Sequence, residues 1–264
     1  MSLTPLTREA PAPVLPGVPL VGRGYCADVY AWGDGRVLKL FHGSSGPERA
    51  EREFRATRTV HAAGLPAPAA FELVEINGQH GLVMERIDGP SMFDAVQKRP
   101  WTLFAAVRQL AELHARINRL PAPAGLPTLH DCLARRIAVA EVSDAEREAA
   151  RRQLAALPDG AALCHGDFHP GNVLLGRRGP VVIDWGAASR GHPLGDLACT
   201  SRLLTHAPMP SWAPGYVHLL MRCTRGLIHR SYLNRYLRLM PGTRRELRAW
   251  EAPVAAAARG WRVG

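Results

Sequence analysis

The stretch from Leu163 to Trp185 constrains the fold of this chain most tightly. It reads Leu-Cys-His-Gly-Asp-Phe-His-Pro-Gly-Asn-Val-Leu-Leu over 163–175 and closes on Val181-Val-Ile-Asp-Trp185. Short apolar runs alternate with polar segments containing Gly and Pro, which predicts strand, loop, strand, turn, strand. Asp167 and Asn172 fall five residues apart in the loop, and Asp184 follows the last apolar run. Taken singly, Asp or Asn in such a loop usually just makes a turn by hydrogen-bonding its own backbone. Together the three match the needs of phosphoryl transfer. That chemistry uses one group to orient the attacking hydroxyl and accept its proton, and oxygen ligands to hold Mg²⁺ against nucleotide phosphates. Asp167 suits the first task. Asn172 and Asp184 suit the second, because Mg²⁺ prefers hard oxygens and uses few protein groups beside the phosphates.

The 264 residues suffice for one large domain or two lobes. Hydrophobic residues at 47% and charged residues at 21% are ordinary for a soluble globular chain. No apolar run approaches the ~18 residues needed to span a bilayer. Residues 1–20 lack the basic start and apolar core of a secretory signal. The five cysteines (Cys26, Cys132, Cys164, Cys199, Cys223) are scattered without a Cys-x-x-Cys pair. They fit reduced thiols better than a disulfide framework or zinc site, so a cytoplasmic location is expected. The net charge of +10 is uneven. Residues 201–264 hold eleven Arg, no Lys, no Asp and two Glu, a balance of +9, which leaves about +1 for the other 200 residues. A basic excess can serve an anionic partner or simply be a solvated face.

Residues 1–18 are Pro-rich and predict a flexible arm. Residues 19–86 carry five strand signals and one helix. Val21 to Trp32 reads as strand, Gly-rich turn, strand, and Gly33-Asp-Gly35 turns into Arg36–Phe41. A helix opens at Pro47 and stops at Gly64. Phe71–Ile76 and His80–Glu85 flank an Asn77-Gly78 turn. Residues 87–264 are mainly helical around the 163–185 segment. Leu103, Val107, Leu110, Leu113 and Ile117 recur at helical spacing. Ser143 and Glu146 form a capping-box signature. Residues 193–258 read as helices without strands.

The string His165, Gly166, Asp167, Asn172, Ile183, Asp184 and Trp185 resembles the catalytic signature of the aminoglycoside phosphotransferase family, small-molecule kinases with a protein-kinase-like fold. The resemblance spans about residues 19–200 with its motifs in order. It implies an α+β, two-lobed fold with a small antiparallel sheet and one helix in the N-lobe, and a larger helical C-lobe. It also implies ATP in the cleft, with GTP left open, and Mg²⁺ held by Asn172 and Asp184. Lys39 stands mid-strand between apolar residues in a chain of 31 Arg and two Lys. An alternating strand could simply snorkel it to the surface. The resemblance makes it the lysine that contacts the α- and β-phosphates. Its expected helix partner is Glu53, eleven residues before Gly64-Leu-Pro66, with Glu48 and Glu51 on the surface.

Gly22 and Gly24 would let backbone N–H groups approach phosphate oxygens, although a plain hairpin turn also uses glycines. By resemblance, main-chain groups at Glu85 and Ile87 hold the adenine, His165 orders the loop, and Asp196 braces it. His114 is expected to pack. The acceptor is expected to be a small molecule with a free hydroxyl that is not polycationic, because the segment expected to wall its site carries a +9 balance. Asp88, Asp94 and Asp131 are the acids that could line the cleft instead. Two other classes compete with the enzyme: an inactive nucleotide-binding module, and a binder of anionic polymers through the Arg-rich C-terminus. The intact Lys39, Asp167, Asn172 and Asp184 count against the first. The second lacks any recognised nucleic-acid motif.

Overall fold

The N-terminal sheet is built by strand alternation. A computed structural model describes residues 15, 17–24, 26–206 and 215–259, without the side chains of 215–223. The expected arm falls mostly outside these residues. Strands β1 (Leu20–Arg23), β2 (Ala27–Ala31), β3 (Arg36–Phe41), β4 (Ala70–Ile76) and β5 (Gln79–Glu85) form an antiparallel sheet in the order β1-β2-β3-β5-β4. Side chains of a strand alternate between faces. Leu38 and Leu40 pack with Tyr30 and Val83, whereas Phe41 packs with Ala50 of helix α1 (Gly46–Ala62). Lys39, in step with Phe41, is thereby aimed at α1. The Asn77-Gly78 turn forms as expected, both residues taking the positive φ that a tight hairpin requires.

Beyond the sheet come helices α2 (Met92–Lys98), α3 (Leu103–Asn118), α4 (Leu129–Ala138) and α5 (Asp144–Ala155). The apolar stripe of α3 buries Val107, Leu110, Leu113 and Ile117, as its spacing predicts. Ser143 and Glu146 close a capping box at the start of α5, each side chain meeting the other's backbone N–H. The linker between the two lobes is tied down by Leu175 N–H donating to Pro90 O at 2.9 Å.

The 163–185 segment folds as β6 (Ala162–Cys164), the catalytic loop, β7 (Val173–Gly176) and β8 (Gly179–Val182). Strands β7 and β8 form a hairpin. Strand β6 pairs instead with β9 (Ser189–Gly191), three residues with no apolar pattern to announce them. Helices α6 (Pro193–His206), α7 (Gly215–Leu239) and α8 (Arg244–Ala257) follow as the last elements among the described residues. The main core lies in this half, gathering Leu110, Ile117, Phe168, Trp185, Tyr232 and Trp250. Among the described residues, no helix is long and apolar enough to cross a membrane.

Candidate active site

Three elements bring Lys39, Glu53 and Asp184 together. Lys39 Nζ lies 2.8 and 2.7 Å from the two Glu53 carboxylate oxygens and 3.2 Å from Asp184 Oδ1. Glu53 is buried on the sheet-facing side of α1, whereas Glu48 and Glu51 are exposed and Glu51 pairs with Arg55. Asp184 takes a left-handed backbone, φ 63° and ψ 59°, at the start of the turn 185–187. Such a conformation costs a non-glycine residue ~1–3 kcal/mol and recurs where function holds it. Burial opposes the Lys39 charge, but Asp184 and Glu53 overcome it and hold its pKa above the ordinary lysine range. Burial likewise opposes the Asp184 charge, and Lys39 outweighs it, so Asp184 stays ionised. Glu53 itself is pushed up to about 7 by burial, against the pull of Lys39. Asp184 keeps 32% of its side chain exposed, so the cluster opens on one side.

The catalytic loop is shaped from behind. Gly166 has φ 77°, and a Cβ there would come within 2.5 Å of Ala187 O, so only glycine fits. Its N–H donates to Asp196 Oδ1 at 2.8 Å, and the His165 N–H donates to Asp196 Oδ2 at 2.9 Å. Asp196 is fully buried and accepts from two more donors, His114 Nε2 and Asn118 Nδ2, each at 2.9 Å. Burial would raise its pKa. The His114 and Asn118 bonds and the Gly166 N–H together hold it well below the usual carboxylate range. The His165 ring accepts the Asp167 N–H on Nδ1 at 3.2 Å and reaches Ile183 O with Nε2 at 3.1 Å, linking the loop to the strand before Asp184.

Asp167 contrasts with Asp196. Its Oδ1 is shut off from solvent and has no hydrogen-bond partner. Burial pushes the carboxyl up to about 7, with the Asp184 charge adding, while Arg136 and Lys39 pull it back. Asn172 donates Nδ2–H to the Asp167 carbonyl at 3.0 Å, which leaves its amide oxygen as a ligand atom. Among the described residues no three His, Cys, Asp or Glu side chains cluster as a metal site. A divalent cation at Asn172 and Asp184 would therefore complete its shell with other oxygens, as Mg²⁺ does with phosphates.

The remaining expected residues sit further out. Gly22 pairs with Val29, which pairs in turn with Lys39, so the Gly-rich hairpin shares the row of Lys39 with β2 between them. Gly24 closes the hairpin by donating to Ala27 O at 2.8 Å. The Glu85 N–H donates to Ala69 O, and its carboxylate meets Ala69 N and Arg178. Ile87 is half-buried in the linker beside Gly176.

Residues that pattern alone did not flag complete the brace. His114 stacks on Phe168 at 4.6 Å and hydrogen-bonds Tyr232 as well as Asp196, so it packs as expected and also bonds. Asn118 bridges Asp196 and Leu163 O and accepts from Tyr236. The signal for Asn118 was available: it is a polar residue continuing the apolar stripe of α3.

Residues 18–227 match the model of the phosphotransferase enzyme family. No curated protein matches the sequence significantly. Among solved structures, the aminoglycoside-3'-phosphotransferase of type VIII aligns at 22% identity over 92% of this chain and 94% of its own, with a TM-score of 0.64. Amicoumacin kinase hAmiN, in complex with AMP-PNP, Ca²⁺ and Ami, aligns at 14% identity over 90% and 77%, with a TM-score of 0.60. The aminoglycoside phosphotransferase APH(3'')-Id from Streptomyces rimosus aligns at 18% over 92% and 93%, with a TM-score of 0.59. At such identities these likenesses speak for the shared two-lobed fold. The match across residues 18–227, more than half of the sequence, places the chain in the phosphotransferase enzyme family of small-molecule kinases.

Proposed function

We propose that the chain transfers the γ-phosphate of ATP to a hydroxyl of a small molecule that is not polycationic. One observation carries this. Asp167 presents a buried, unpartnered carboxylate oxygen in the same site as the Lys39–Asp184 pair. Asp167 orients the acceptor hydroxyl and takes its proton, because a carboxyl poised near 7 is basic enough to receive it and ionised enough to be ready. Lys39, held by Glu53, meets the α- and β-phosphates. Main-chain groups at Glu85 and Ile87 hold the base, and the hairpin of Gly22 and Gly24 covers the phosphates. Asn172 and Asp184 hold Mg²⁺, which when bound neutralises the phosphate oxygens. His165 and Asp196 keep the loop in place. Catalysis is then positioning and charge stabilisation. The matched amicoumacin kinase is in complex with AMP-PNP, and a matched thermostable mutant of aminoglycoside phosphotransferase APH(4)-Ia is in a ternary complex with AMP-PNP and hygromycin B, which supports a nucleotide and a small acceptor here.

The acceptor's charge is argued from the acids and arginines nearby. Asp88 pairs with Arg86, and Asp94 is engaged by the Ser91 cap of α2. Asp131 is exposed in the first turn of α4. Arg136, also on α4, is the first positive charge to act on Asp167. These favour a neutral or anionic acceptor over one with several amines. Among the C-terminal arginines, Arg235 binds Glu112, Arg225 caps Thr205 O, and Arg259 reaches Glu146, while Arg230 is exposed. The engagement of Arg225, Arg235 and Arg259 with protein groups draws those three away from a polymer-binding surface. Arg222 lies outside the described side chains.

The test is a screen of hydroxylated metabolites and antibiotics with labelled ATP, run beside Asp167→Ala. Label transfer that vanishes in the variant is expected. Efficient phosphorylation of kanamycin or streptomycin would overturn the charge argument. Transfer that survives in Asp167→Ala would overturn the base assignment.

A further inference from the structure

The catalytic loop contains a second buried polar atom without a partner, His169 Nε2. His169 precedes the short 3-10 turn Pro170–Asn172, and its Nδ1 accepts the Gly171 N–H at 3.1 Å. A ring nitrogen that accepts carries no proton, so the neutral imidazole bears its proton on Nε2. The other side-chain N–H donors of the loop are engaged. His165 Nε2 faces Ile183 O and Asn172 Nδ2 donates to Asp167 O. His169 Nε2–H is thus a donor left over, two residues from Asp167 Oδ1, an acceptor left over.

The ring is also seated deliberately. A Cβ at Gly171 would come within 2.7 Å of His169 Cε1 and 2.9 Å of Nδ1. Only glycine leaves room for the imidazole to lie over that peptide. A buried donor without an acceptor is destabilising, and such an orphan in a preshaped loop calls for a ligand group that meets it.

We propose that His169 is a catalytic residue whose Nε2–H donates to a non-bridging oxygen of the transferring phosphoryl group, while Asp167 Oδ1 receives the acceptor proton. The proposal rests on the phosphotransferase function argued above. In the step, a lone pair of the acceptor oxygen forms the new O–P bond and its proton passes to Asp167. The bond from phosphorus to the bridging oxygen breaks, and that electron pair leaves on the nucleoside diphosphate. His169 keeps its proton throughout. Its target is the phosphoryl oxygen, because a donor on the attacking oxygen would tie up the lone pair that has to attack. Lys39, the cation of the sheet half, is already held between Glu53 and Asp184. A neutral donor from the loop side supplements it where charge builds.

The test uses the full chain and Mg-ATP hydrolysis, with water as the acceptor. His169→Ala is expected to lower kcat by about 10²-fold, the usual loss for one preorganised donor. Affinity for Mg-ADP should hold, and trapping of Mg-ADP by aluminium fluoride, a planar mimic of the phosphoryl group, should weaken in parallel. His169→Gln restores an N–H donor and should recover much of the rate. Gly171→Ala displaces the ring without removing it and should lower kcat in the same direction, which serves if His169→Ala misfolds. A native chain that neither binds nor turns over Mg-ATP overturns the phosphotransferase function and this proposal with it. Native turnover matched by His169→Ala, or equal losses in the Ala and Gln variants, overturns this proposal alone.

Discussion

Two buried aspartates, Asp167 at the front of the catalytic loop and Asp196 behind it, differ in nearly every physical respect. Asp196 accepts four hydrogen bonds and is held ionised well below the usual carboxylate range. Asp167 has a buried oxygen with no partner and a pKa pushed up to about 7. Burial acts on both in the same direction, so the difference lies in the donors and charges around them: His114, Asn118 and Gly166 at Asp196, and the Asp184 charge at Asp167. A saturated carboxylate has nothing left to offer a ligand and holds structure. An unsaturated one is kept at a cost in stability and is available for chemistry. The same contrast separates the engaged His165 from His169.

The sharpest attempt to break this comparison is to remove each carboxylate in turn. Asp167→Ala is expected to lower phosphotransfer about 10⁴-fold, the upper range for a general base and worth ~5 kcal/mol. Its melting temperature should hold or rise, because an unpaired buried carboxylate is lost. A large drop in melting temperature would place Asp167 with the scaffold. Asp196→Ala should do the reverse, costing ~3–5 kcal/mol of stability by stranding the donors of His114, Asn118, His165 and Gly166. Denaturant titration measures it, and a loss under about 1 kcal/mol would mean the brace is dispensable.

Lys39 probes whether the front of the site needs shape as well as charge. Lys39→Arg is expected to be as damaging as Lys39→Ala, each by about 10²-fold in kcat/KM for ATP, since a planar guanidinium cannot replace a compact ammonium between Glu53 and Asp184. Native-like kinetics in Lys39→Arg would show that positive charge alone suffices.

The pH profile tests Asp167 more finely. A base must be ionised to act, and its raised pKa means that the active form is lost as pH falls below about 7. The acceptor kcat/KM should therefore fall about tenfold per pH unit below that value and level off above it. A profile flat from pH 5 to 8 would contradict the raised pKa. The smallest expected effect is Tyr236→Phe. It removes the hydroxyl that bonds Asn118 in the brace, for about 1 kcal/mol of stability with little change in kcat.

What could be read from sequence depended on short-range rules. The Asp167–Asn172 spacing, the Asn77-Gly78 turn, the Ser143–Glu146 box and the stripe of α3 each involve residues a few positions apart, where propensity and periodicity act. Lys39 stood out because its neighbours are apolar and the chain is otherwise rich in Arg. Choosing Glu53 over Glu48 and Glu51 leaned on resemblance, because the three share one helix and only the packing of α1 under the sheet makes Glu53 face Lys39. Strand β9 was invisible, being three residues whose pairing with β6 is decided by the surrounding helices. His114 and Asn118 meet Asp196 across separations of 82 and 78 residues, and no local pattern reports such a meeting. Residue chemistry and spacing, which are local, were enough to nominate the groups to which the chemistry is assigned. Which of those groups is saturated and which is left hungry depends on donors and burial supplied from distant parts of the chain, and tertiary structure alone decides that.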